Sequence, residues 1–114
     1  MKQLPHISLS DKDRKAIEET ASLLKDKFGV RKIVLFGSKV RGTDTSESDI
    51  DLLALTSMPP DWIEKNRMRD ALFHLQLKYN VVFNLMIMAS SEWETGLISV
   101  MPIHREIEEH GAAA

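Results

Sequence analysis

Apolar and polar positions along the chain fall into blocks whose period changes. Ile17, Ala21, Leu24 and Phe28 recur every three or four residues, the repeat of one buried helix face. Ser10 heads that block as a candidate N-cap, with Asp13 as a weak capping-box partner, and Gly29 is a natural C-terminal stop. Ile33-Val34-Leu35-Phe36 follows as a short β-branched and apolar run, the mark of a buried strand, and Gly37-Ser38 breaks it. Lys39 to Asp44 is polar and has room for a short helix only. Asp49 to Leu55 reads as a second strand, with acid and apolar residues alternating in its first half. Pro59-Pro60-Asp61 opens a long helix, proline being tolerated in a first turn; Met68, Leu72, Leu75 and Tyr79 line one face and Asn80 closes it. Val81 to Met88 is a third strand, almost continuously apolar. Ser90 or Ser91 caps a last helix, which Pro102 interrupts or restarts and which ends near Gly111.

Three strands alternating with helices predict an α/β (α+β) architecture, a small mixed β-sheet flanked by helices. The 114 residues carry no internal repeat and no linker-like shift in composition, so one domain over 1–114 is expected. Residues 111–114, above all Ala112-Ala113-Ala114, are set aside as an appended tail.

Composition narrows the function classes. A hydrophobic fraction of 43% with 28% charged residues excludes a disordered or collagen-like chain. Without cysteine there is no disulfide, no thiolate zinc site and no cysteine nucleophile. No apolar run approaches the ~18 residues of a membrane span. Met1-Lys2-Gln3-Leu4-Pro5 leads into charge rather than an apolar signal core, so a soluble, cytoplasmic protein without membrane association is expected. A net charge of −2 is too acidic for a generic nucleic-acid binder, and no direct nucleic-acid binding is expected. The charge is uneven: residues 1–45 hold 10 bases and 6 acids, a net +4, and residues 46–114 hold 5 bases and 11 acids, a net −6. A basic rim meeting a carboxylate cluster fits this split, and so does an accident of surface charge.

The informative segment runs from Gly37 to Leu52. A Gly-Ser pair at the end of a strand, opening a helix, offers backbone N–H groups and a hydroxyl to an anion such as phosphate. Asp49 and Asp51 lie two apart on a strand and project from one face. Two adjacent carboxylates repel each other and call for a cation, and Mg²⁺ is the usual one where phosphates are near. That pairing suits metal-assisted phosphoryl or nucleotidyl transfer.

Gly37-Ser38, ten residues, then Asp49-x-Asp51 resembles the signature of the polymerase-β-like nucleotidyltransferase superfamily. The string with Arg41-Gly42 and Ser48-Asp49 resembles its small prokaryotic branch, the minimal nucleotidyltransferases, over roughly residues 10–111. The resemblance implies a polymerase-β-like nucleotidyltransferase fold with catalytic positions Ser38, Asp49, Asp51 and Asn84. It implies nucleotide phosphates on Gly37, Ser38 and Arg41, with Lys39 a weaker candidate for the same task. It implies two Mg²⁺ ions, or Mn²⁺, on Asp49 and Asp51, and ATP as the favoured NTP. Many such chains are antitoxins paired with HEPN-domain toxins, some of which they modify with AMP on a tyrosine hydroxyl, so a HEPN partner is implied.

One position departs from the pattern. The family usually has a third carboxylate on the next strand, where this chain has Asn84. An amide oxygen can ligate a metal, but it carries no charge and is no useful base. Three readings stay open: an active enzyme with a weakened metal site, a nucleotide-binding relic, or a position at which Asp is the natural residue. A second function class follows, a module that neutralises its partner by stoichiometric binding. A stand-alone transferase for a small molecule is disfavoured, because no second substrate domain is evident.

Other candidates read as ordinary structure. Asp44 and Glu47 are expected to be solvated loop acids. His6, His74, His104 and His110 lack metal-ligand spacing. Lys65, Arg67 and Arg69 form a solvated cationic strip, and Trp62 and Trp93 are packing residues, in the core or at an interface. Trp93, Leu97, Ile98 and Met101 hint at an interface, including one between copies of the chain, or at core.

Overall fold

The computed structural model describes residues 1–45 and 48–114. Helix α1 spans Asp11–Phe28: the Ser10 hydroxyl accepts from the Asp13 backbone N–H, and Gly29 closes it in the left-handed conformation at φ 65°. Strand β2, Lys32–Phe36, leads into the four-residue helix α2, Ser38–Arg41, and strand β3 is Ile50–Thr56. Helix α3 spans Trp62–Tyr79; its cap is Asp61, whose carboxylate accepts from the Glu64 N–H, so both prolines lie before the helix rather than in its first turn. Asn80 ends it at φ 51°. Strand β4 is Phe83–Ala89, two residues later in its start than the apolar run suggests. Pro102 restarts the chain: α4, Ser90–Thr95, is followed by a 3₁₀ turn over Leu97–Val100 and by α5, Pro102–His110. Neither serine caps α4 through its side chain; the Ala89 N–H donates to Glu92 Oε1 instead.

Two short strands complete the sheet, β1 at Lys2–Gln3 and β5 at Ala112–Ala113. The order is β1-β5-β2-β3-β4, with β2 antiparallel to β3 and β5, and β3 parallel to β4. The last residues, set aside above, take part in the sheet. Ala112 is fully buried between β1 and β2, and the Ala114 N–H donates to the Ile33 carbonyl. A Cβ at Gly111 would press on Val34 Cγ1 at 2.6 Å, so the chain can enter the sheet here only without one.

The sheet has two covered faces. Ile33, Leu35, Ile50, Leu52, Ala54, Phe83 and Ile87 pack against α1 and α3 through Ile17, Leu24, Met68 and Leu72. The opposite face is smaller: Val34, Leu53 and Leu55 pack against Trp93 and Ile107 of α4 and α5. Strand parity then decides where the acids go. Phe36, Asp51 and Asn84 are partners in one row across β2, β3 and β4, and they share the face of Val34, Leu53 and Met86.

Trp93 is core, with its indole N–H donating to Glu108 and its ring 4.3 Å from that of His104. Trp62 is 72% exposed and is not core. Of the other candidates for an interface or core, Ile98 packs on the smaller cluster while Leu97 and Met101 stay exposed.

Candidate active site

The site forms at the end of the sheet where β2 stops and β3 and β4 begin. Gly37 leaves β2 at φ 80° and ψ −152°, outside the range of ordinary L-residues. It is required on a second count. A Cβ there would fall inside contact distance of Asp51 Oδ2, with the Asp51 carboxyl carbon at 3.2 Å. The Gly-Ser turn and the Asp51 carboxylate are thus in direct apposition, across the register pair Phe36–Asp51. Ser38 opens α2 beside them, half-buried.

Asp49 precedes β3 and is exposed. Asn84 joins it to Asp51: one amide nitrogen donates to Asp49 Oδ2 at 3.1 Å and to Asp51 Oδ1 at 3.0 Å. The structure therefore brings together Gly37, Ser38, Asp49, Asp51 and Asn84. No lysine or arginine bonds either carboxylate among the described residues. No cluster of three or more His, Cys, Asp or Glu fit to hold a metal occurs among them either. The site is two carboxylates and an amide.

Arg41, at the end of α2, pairs with Glu106 of α5 at 3.5 Å, and both side chains are well exposed. It stands on the short helix that Ser38 opens, and is turned to α5 rather than to Asp49 or Asp51.

Lys39 corrects its expectation. It does not reach toward a bound anion; it is 1% exposed and its ammonium is already occupied. It donates to Asp13 Oδ2 at 2.7 Å, Asp44 Oδ2 at 3.1 Å and the Thr45 carbonyl at 3.3 Å. Burial pulls the Lys39 pKa down, but the bonds to Asp13 and Asp44 and their charges outweigh it and hold the ammonium above the ordinary lysine value. Asp44 is accordingly an ion-pair partner and not a free loop acid. Asp13 turns its carboxylate to Lys39, rather than back to the Ser10 backbone as a capping box would need. Glu47 lies outside the described residues. The signal for this cluster was present but ambiguous: a lysine beside a phosphate-type turn has the same spacing whether it reaches outward or inward.

The family model described as "Nucleotidyltransferase domain" matches residues 17–101. A protein of Methanocaldococcus jannaschii, "Putative protein adenylyltransferase MJ0604", is 39% identical over 101 residues, covering 87% of this chain and 94% of the relative. A second of the same description and organism, MJ0141, is 33% identical over 70 residues, covering 61% of this chain and 69% of the relative. The fold is similar to that of a chain in the crystal structure of a toxin–antitoxin with AMP-PNP, at TM-score 0.60 and 18% identity, over 91% of this chain and 72% of the other. It is similar as well to a chain of a mutant MntA–HpeT toxin–antitoxin, at TM-score 0.58 and 20% identity, over 84% of this chain and 69% of the other. With a family model matched over most of its length, this chain belongs to the nucleotidyltransferase domain family.

Proposed function

We propose that this protein transfers AMP from Mg-ATP to a hydroxyl on a HEPN-domain toxin and serves as that toxin's antitoxin. The observation that carries the reading is the apposition of Gly37 and Asp51, with Asp49 drawn to the same point by Asn84. A phosphate-holding turn and a carboxylate pair at one spot are what nucleotidyl transfer needs. The names of the relatives support adenylyl transfer, and the toxin–antitoxin neighbours support the partner.

The donor set fits Mg²⁺. All the ligand atoms on offer are hard oxygens, and Mg²⁺ is commonly held by one or two carboxylates together with substrate phosphates. The Asn84 N–H group bridges the two carboxylates without neutralising their charge, at the place a small cation would take. Asp49 and Asp51 would hold the metal, with the Asn84 oxygen available after rotation of the amide. Bound there, Mg²⁺ would neutralise triphosphate charge and acidify the acceptor hydroxyl.

The chain's own residues do the rest. Gly37 and Ser38 receive the phosphates with backbone N–H groups and a hydroxyl. Arg41 leaves Glu106 to clamp the β- and γ-phosphates, a small rearrangement for an exposed pair. The acceptor oxygen bonds to the α-phosphorus as the bond to the β-phosphate oxygen breaks, and pyrophosphate leaves. Asn84 takes no proton, so the acceptor proton departs to water.

Asn84 also favours a second reading, neutralisation by stoichiometric binding, because its amide satisfies both carboxylates without a metal. The test uses ATP labelled at the α-phosphate, Mg²⁺ and a lysate of the source cell, with Asp49→Asn/Asp51→Asn as control. A labelled protein band made only by the unmutated chain is the expected result, and its identity gives the acceptor. Retained Mg-ATP binding with no label would move the account to the binding module. A neighbour-encoded HEPN protein that this chain fails to neutralise in a toxicity rescue would remove the antitoxin role.

A further inference from the structure

We propose that Lys39 is a positioning residue for this site: its buried ammonium ties the start of α1 to the loop that delivers Asp49. The proposal rests on the nucleotide-binding reading above, and goes beyond it to how the two halves of the site are held in register.

Lys39 is next in sequence to Ser38, so whatever fixes its side chain constrains the turn as well. An ammonium has three N–H donors, and here there are three acceptors, one each from α1, the Asp44 side chain and the Thr45 backbone. Apolar residues replacing the whole buried cluster, Lys39 together with its carboxylates, would fill the same space at no greater cost, since buried charges must recover their lost hydration. What the charge adds is direction: each bond fixes where its partner lies.

The path from Lys39 to Asp49 is short and hydrogen-bonded. The Thr45 carbonyl that accepts from Lys39 also accepts from the Ser48 N–H at 3.1 Å. The Thr45 N–H in turn donates to Ser48 Oγ at 2.8 Å. Ser48 is therefore held at both its backbone and its side chain, and Asp49 is the next residue. At the other end, Asp13 is buried in the first turn of α1, a helix anchored in the larger core through Ile17 and Leu24. The loop that presents an exposed carboxylate is thus tied to the larger core of the molecule, through one side chain beside the Gly37-Ser38 turn.

The experiment compares the full chain with Asp44→Asn and Lys39→Met, and the probe is Mn²⁺ with AMP-PNP. Asp44→Asn removes the charge of the loop-side carboxylate and leaves Lys39 bonded to Asp13 and to the Thr45 carbonyl, so it weakens the loop side of the latch in a variant that folds. Its dissociation constant for Mn²⁺–AMP-PNP should rise about 10-fold, the lower end of what loss of an outer-shell partner costs a metal site. Amide exchange at Thr45 and Ser48 should quicken while the urea midpoint stays put. A change in the urea midpoint with no change in binding would show a merely structural lysine. Lys39→Met should move binding in the same direction and further. Wild-type binding and exchange in Asp44→Asn would overturn the proposal. If the unmutated chain binds no Mn²⁺–AMP-PNP, the nucleotide reading fails by itself. Exchange at Thr45 and Ser48 then decides the latch alone, unchanged rates overturning it and faster rates supporting it.

Discussion

Two carboxylate pairs lie beside the Gly37-Ser38 turn, one through Lys39 and one through Asp51, and they are treated differently. Asp13 and Asp44 share a resident cation, the buried Lys39. Asp49 and Asp51 share only the neutral amide of Asn84. The first pair is complete, and its work is to hold the chain. The second keeps both negative charges toward solvent, bridged but not neutralised, which is the arrangement that attracts an external cation carrying phosphates. Carboxylate count alone does not separate structure from chemistry here; the identity of the group between them does.

The largest effect should come from removing the second pair. Asp49→Asn/Asp51→Asn should lower AMP transfer on the order of 1,000-fold, several kcal/mol of lost electrostatic stabilisation, with no loss of urea stability. Labelled-ATP kinetics and a urea melt check both halves. The first pair should behave the opposite way. Lys39→Met strands a buried carboxylate and should cost about 3–5 kcal/mol by urea denaturation. Its pH dependence follows from the raised Lys39 pKa: the stabilisation is complete below the ordinary value of 10.5 and is lost as pH climbs through the higher folded value. The stability gap between the native chain and Lys39→Met should therefore stay flat through neutral pH and narrow only in strong alkali.

Gly37→Ala should cost on the order of 2 kcal/mol, since it combines a positive φ with a Cβ driven into the Asp51 carboxylate. Its mark is a joint loss of stability and nucleotide affinity, because the same overlap moves Asp51. Asn84→Asp should cost less in a melt than Gly37→Ala. It removes two hydrogen bonds and adds a third negative charge, a loss of about 1 kcal/mol without metal. Mn²⁺ should more than restore that loss, and a thermal melt with and without the ion reads both.

The site was more legible in the sequence than the sheet that holds it. Gly37-Ser38 and Asp49-x-Asp51 carry their chemistry in residue type and spacing, and Asn84 stood out as the amide where the family usually has an acid. β5 was not legible. Two alanines have no β-branching and no alternation, and their strand comes wholly from pairing with β1 and β2. Lys39 was misread for a different reason: direction is set by the tertiary position of Asp13, 26 residues away in sequence, and no local pattern records it. Trp62 shows the same limit, since α3 carries large apolar residues on both its buried and its exposed sides, among them Phe73 and Leu77.

Calorimetric titration of Mn²⁺ into the chain, its Asp49→Asn/Asp51→Asn variant and its Asp44→Asn variant tests the contrast between the two pairs most directly. The account predicts binding to the native chain, none to the Asp49/Asp51 variant and weakened but measurable binding to Asp44→Asn. Equal binding to the native chain and the Asp49/Asp51 variant would contradict it, because the cation would then be held somewhere other than the pair that lacks one of its own.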